Sequence, residues 1–436
     1  MKKIITSIIL LTCTMSIVKA QETVYPSKEN KEHFVITNAT IHIGNGQVVE
    51  NGSVEVNNGK IVKVSAGSSA QGARIIDASG KHVYPGLILP VTDLGLKEIG
   101  SGARGSNDYL EIGDLNPSVR SIVAYNTDSK FINVLKANGI LLAGVTPEGG
   151  TISGSSSIVQ LDGWNWEDAA YKMDNAIHLN MPSLIIRPTR RRFNTTTPQL
   201  SAADQLKEAL QKVEEVKSFF HEAKLYNQET SHKETNLKLA AVRGLFNGTQ
   251  KLFVHANQVK QMLVAIDFAK DLGFDVVIVG GNESYLIADL LKQNNIPVIL
   301  SDEHRLPETE DEDIDQPFKT PAALQKAGVL FALNDAHEES RYRNLPFNAG
   351  TAAAYGLTKE QALQAITLSS AKILGVDKTT GSLEEGKDAN IVISNGDILD
   401  MKSSIITAAF IQGRPVSLDN KQKQLYERYK YKYALK

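Results

Sequence analysis

Short apolar, β-branched runs recur along this chain, and several are followed by stretches of helical periodicity. That alternation predicts a parallel sheet or barrel. The runs fall at 83–89, 140–145, 157–161, 183–186, 252–255, 276–280, 297–301 and 330–334. Eight is the number that a TIM-type (β/α)8 barrel needs. The run at 157–161 also reads as a decoration, in which case one true strand lies elsewhere. An amphipathic helix is expected over 202–225 behind a Ser201 N-cap, and a capping box from Thr358 to Gln361 opens another over 362–368.

The flanks read differently. Residues 34–43 and 52–64 form short strands with a hairpin-type turn at Asn57, Asn58 and Gly59. Near the other end, a glycine-bounded turn from Gly381 to Gly386 precedes the strand Ile391, Val392, Ile393. With 436 residues, 42% apolar and 22% charged, the chain can bury a large core and has no disordered or fibrous bias. Residues 1–20 combine two lysines, an apolar run over 4–18 and a small residue, Ala20, before Gln21. This reads as a secretory signal peptide cleaved after Ala20, too short to span a bilayer, so a periplasmic location is expected. The single cysteine, Cys13, falls inside it, which leaves the mature chain without thiol or disulfide chemistry. Losing Lys2, Lys3 and Lys19 takes the formal charge from −2 to −5, which argues against a nucleic-acid partner. No transmembrane segment is expected in the mature chain.

The segment Tyr84, Pro85, Gly86, Leu87, Ile88, Leu89, Pro90, Val91, Thr92, Asp93 resembles the first barrel strand of the amidohydrolase superfamily, in which Pro-Gly-Leu-Ile-Asp leads into a metal-binding His-x-His pair. Here Val91 and Asp93 stand where those histidines would be. Leu252, Phe253, Val254, His255, Ala256 is similar to the family's Val-His-Ala strand, and Phe331, Ala332, Leu333, Asn334, Asp335 to its last strand. The resemblance implies an α/β fold with a TIM-type barrel over 84–380 and a small β-sandwich domain built from both chain ends, 22–83 and 381–420, followed by a tail over 421–436. Residues 100–125 and 225–236 read as insertions. The resemblance further implies His255 as a metal ligand and Asp335 as ligand and general base. The imidazolonepropionase-like subgroup would place Glu-His after the next strand, where this chain has Gly280, Gly281 and Asn282. The family's carboxylated lysine has no counterpart, because the run at 183–186 ends in Arg187. Catalytic zinc usually takes three protein ligands and a water, so the family site is degenerate.

Asp93 and His304 could refill it, giving a replacement set of Asp93, His255, His304 and Asp335 for zinc or another divalent metal. Arg187 and Arg190, in a cationic cluster with Arg191 and Arg192, are candidates to clamp a carboxylate or phosphate. Gly149 to Ser155 reads as a glycine- and serine-rich rim loop. Two functions follow. One is a hydrolase acting on C–N bonds of a cyclic amide or dipeptide-like small molecule, with a divalent metal as cofactor. The other is a pseudoenzyme with no metal, serving as the binding subunit or partner of an active relative, or as a homo-oligomer.

Overall fold

The computed structural model describes residues 24–67, 72–98, 108–184, 201–229, 231–301, 303–307, 312–335 and 340–435. The proposed signal peptide lies outside them. The first five strands are β1 (Phe34–His42), β2 (Val48–Asn57), β3 (Lys60–Ala66), β4 (Arg74–Asp77) and β5 (His82–Pro85). The last three are β14 (Ile391–Ser394), β15 (Ile406–Ile411) and β16 (Arg414–Pro415). Together they make one mixed sheet in the order β16-β15-β14-β5-β1-β2-β3, with β4 paired to β1. The sheet curls until Phe34 on β1 and Phe410 on β15 stack at 5.1 Å, so its two halves enclose their own small core in the manner of a sandwich. The chain ends meet at Gly44. A side chain there would meet Pro85 Cγ at 2.7 Å and Gly381 O at 3.1 Å, and its φ of +87° already favours glycine.

Between these ends lie β6 (Leu87–Thr92), β7 (Ile140–Val145), β8 (Ile152–Gln160), β9 (Ala170–Asn180), β10 (Lys251–Ala256), β11 (Val276–Gly280), β12 (Val298–Leu300) and β13 (Phe331–Leu333), in that spatial order. They form a nearly closed eight-stranded barrel. Seven run parallel, while β8 runs antiparallel to both β7 and β9. The parallel strands read as continuous apolar runs because helices cover their outer faces. The gap between β13 and β6 is bridged by one side chain. Asn334 Nδ2 donates to the Val91 carbonyl at 2.9 Å, and its Oδ1 accepts from the Val91 N–H at 3.2 Å, so a carboxamide replaces a rung of the ladder.

Two sequence expectations need correction. Ser183 and Leu184 are not in a strand, and 185–186 lie outside the described residues; the strand at that place in the barrel is β9. Its polar first half, Tyr171 to Asp174, and the interruption by His178 hide the apolar run. The run at 157–161 belongs to β8, which needs no crossover helix because antiparallel neighbours join by short turns. Most of the expected rim loop is strand as well, since Ile152 to Ser155 begin β8.

Both expected helix caps are present, although the second helix ends at Ala365 and a separate one, Leu368–Leu374, follows it. The helix Ala202–Gln228 has Ser201 at its N-cap, and Thr358 with Gln361 forms the capping box of Lys359–Ala365. The tail expected over 421–436 contains a helix, Lys421–Lys432, capped by Asn420, whose side chain accepts from the Lys423 N–H at 2.9 Å.

Candidate functional site

The carboxyl ends of β6, β10, β11 and β12 open into a cavity of about 620 Å³, where barrel enzymes keep their chemistry. Val91, Asp93, Asn180, His255, Gly280 and Ser301 all contribute to its wall, together with Glu148 from the loop after β7. The wall is polar, but its polar groups are largely engaged with one another.

His255 leaves β10 toward the cavity, and its Nε2 lies 2.9 Å from Nδ1 of His178 on β9. His178 is fully buried against the Phe253 ring, and its Nε2 has no hydrogen-bond partner among the described residues. A buried N–H without an acceptor costs more than a bare lone pair, so the hydrogen-bond network assigns the His178 proton to Nδ1. Nδ1 then donates, and the lone pair on His255 Nε2 accepts. Burial pushes the His255 imidazole down to about 4, and burial followed by the proximity of His255 pushes His178 well below the usual histidine range. Both rings are neutral at pH 7.

Asp93 is almost fully buried. The Tyr342 hydroxyl donates to its Oδ1, and Lys97 Nζ lies 3.5 Å from Oδ2. Its charge is thus already balanced inside the protein. Asp335 is 1% exposed and accepts from Asn348 Nδ2 at 3.2 Å, but it is not part of the cavity wall. Gly280 has φ +101°, and a Cβ there would meet Asn257 Oδ1 at 2.2 Å. The Asn257 carboxamide therefore fills the volume that a ligand side chain at 280 would enter.

The proposed refill set does not assemble. Asp93 and His255 share the cavity wall, Asp335 is not part of it, and His304 lines a different depression. His304 is exposed, bonds Thr351 Oγ1 at 3.2 Å, packs on Phe318 and lines a separate depression beside Tyr355. It follows a β12 that ends at Leu300, and the chain has turned outward by residue 304. Arg187 and Arg190 lie outside the described residues. Among the described residues no three His, Cys, Asp or Glu side chains come together as a metal site would require. The described residues therefore do not fit a zinc centre of the expected kind.

Sequence reasoning missed His178, Tyr342, Lys97 and Asn334. Only Asn334 carried a local signal, a polar residue inside an otherwise apolar strand end. Lys97 follows Asp93 by only four residues, whereas His178 and Tyr342 become functional neighbours through long-range pairings.

The amidohydrolase family model matches residues 256–416. A comparison with curated proteins finds no match. Among solved structures, an amidohydrolase from Thermotoga maritima MSB8 is similar with a TM-score of 0.76 and 26% identity, covering 88% of this chain and 99% of that one. A Xaa-Pro dipeptidase with bound methionine in its active site has a TM-score of 0.53 and 15% identity, covering 88% and 100%. An adenosine deaminase from Xanthomonas campestris with bound zinc has a TM-score of 0.53 and 15% identity, covering 92% and 98%. The last two share the fold alone. The chain therefore has the barrel and β domain of solved amidohydrolases, and over residues 256–416 it carries the amidohydrolase family pattern.

Proposed function

We propose that this is an exported protein whose barrel mouth binds a small amide or dipeptide-like molecule without metal-dependent hydrolysis, serving as the binding partner of an active relative. The observation that carries this reading is the state of His255. Its Nε2 lone pair accepts from a buried histidine, so it cannot also serve a metal unless the His178 bond breaks. Val91 at the end of β6 and the Asn257-filled space at Gly280 support the same reading. A cavity of about 620 Å³ suits a ligand of dipeptide size. Beside the exposed Glu148 carboxylate, the wall offers neutral groups, notably the Asn257 carboxamide and the buried Ser301 hydroxyl, which has no hydrogen-bond partner among the described residues. Such groups recognise amides by hydrogen bonding rather than ions by charge.

A second reading, hydrolysis of a C–N bond around a non-standard metal shell, is favoured by Asp93 and His255 lining one wall. Assaying a panel of Xaa-Pro dipeptides with added zinc or manganese separates the two. The expected result is a ligand-induced rise in thermal midpoint with no turnover. Metal-dependent turnover abolished by His255→Ala would establish the hydrolase.

A further inference from the structure

We propose that the helix Lys421–Lys432 is a peripheral docking element for an anionic lipid surface. None of its residues is buried, so it adds little to the core. At 3.6 residues per turn, Leu425, Tyr426 and Tyr429, with Tyr433 just beyond the last turn, make a stripe within about 100° of arc, interrupted only by Gln422 in the first turn, while Tyr431 lies on the opposite face. The tyrosines stand out from the body, with 63%, 53% and 62% exposure for Tyr426, Tyr429 and Tyr433. The last two rings stack at 6.4 Å, and Lys432 Nζ lies 5.2 Å from the Tyr433 ring centre, so the stripe is ordered as a unit.

The same wheel places Lys421, Arg428 and Lys432 along one border of the stripe and Lys423 and Lys430 along the other. The single acid of the helix, Glu427, lies on the far side. Five cations against one anion contrast with the segment 21–420, in which 48 acidic residues outnumber 38 basic ones. An amphipathic ring stripe bordered by cations is the pattern of a helix lying in a membrane interface, with tyrosines at headgroup depth and lysines toward phosphates. The composition speaks against a protein partner, because lysine is depleted at protein–protein interfaces. No helix among the described residues is long and apolar enough to cross a membrane, so the contact is one of lying on the surface.

The test is co-sedimentation of the purified protein with vesicles of roughly one-third phosphatidylglycerol in phosphatidylcholine, and with phosphatidylcholine alone. The expected result is binding to the anionic vesicles only, weakened roughly tenfold or more on raising salt from about 0.1 M to about 1 M. Binding should fall similarly in Arg428→Gln/Lys430→Gln/Lys432→Gln, and also in Tyr426→Ser/Tyr429→Ser/Tyr433→Ser, which keeps every cation. All six side chains are outside the core, so circular dichroism and thermal midpoint should be unchanged. No sedimentation of wild type at low salt, or sedimentation that ignores both variants, overturns the proposal. So does a dimer in light scattering that both variants abolish while vesicles remain unbound.

Discussion

Two histidine pairs in this molecule make nearly the same hydrogen bond in different surroundings. In the barrel, His178 and His255 meet at 2.9 Å with no carboxylate bonded to either ring among the described residues. In the β domain, His42 Nε2 and His82 Nδ1 meet at 3.0 Å, with Glu360 Oε1 2.7 Å from His42 Nδ1 and the Tyr84 ring stacked on His42 at 4.5 Å. In the barrel pair His178 is fully buried and His255 half-buried at the cavity wall, and burial holds both rings neutral. The β-domain pair keeps a carboxylate beside it and partial access to solvent. What differs is the environment that the fold supplies: an apolar strand core behind one pair, and a carboxylate and a tyrosine ring beside the other.

The largest expected contrast is in stability at neutral pH. His178→Ala removes a fully buried ring and leaves His255 Nε2 unpaired, for a cost of about 2–4 kcal/mol. His42→Ala, whose side chain is 14% exposed, should cost about 1–2 kcal/mol. Urea denaturation of both variants checks the order, and equal costs would erase the distinction.

Acid sharpens it next. The unfolded chain binds protons on His178 and His255 below about pH 6.5, while the folded His255 holds out to about 4. Their contribution to stability is therefore complete above pH 6.5 and is lost as pH falls from 6.5 toward 4. Wild type should lose of order 2 kcal/mol more than His255→Asn over that window. His82 is lowered as well, by burial and then by His42, so it adds a smaller loss of the same sign. An identical pH profile in wild type and His255→Asn would contradict the buried, neutral pair. Smallest is Glu360→Gln, which removes a carboxylate that is 21% exposed and should cost about 1 kcal/mol or less at neutral pH.

Much of the architecture was legible in the sequence, because parallel strands with covered faces must be apolar throughout. The runs at Ile140–Val145 and Val276–Gly280 announced themselves this way. The antiparallel β8 and its partner β9 did not, since their small and polar residues break the pattern: Ser153, Ser155, Ser156 and Ser157 on β8, and Asp174 and His178 on β9. The site was legible only by position. His255 and Asp93 reach the cavity as their strand ends imply, but what binds them comes from elsewhere. His178 lies 77 residues away from one, and Tyr342 lies 249 from the other. Such distances carry no local periodicity. His304 follows a strand closely enough to suggest the barrel mouth, but it is exposed and bonds Thr351 beside a separate depression.

The most direct test of a metal-free mouth is metal stoichiometry. Protein equilibrated with excess zinc, desalted and analysed for elemental content should carry well under one equivalent, with a thermal midpoint unchanged by zinc or chelator. One equivalent of zinc in the wild type, lost in His255→Ala, would contradict the assignment of His255 to His178 and restore a working metal centre.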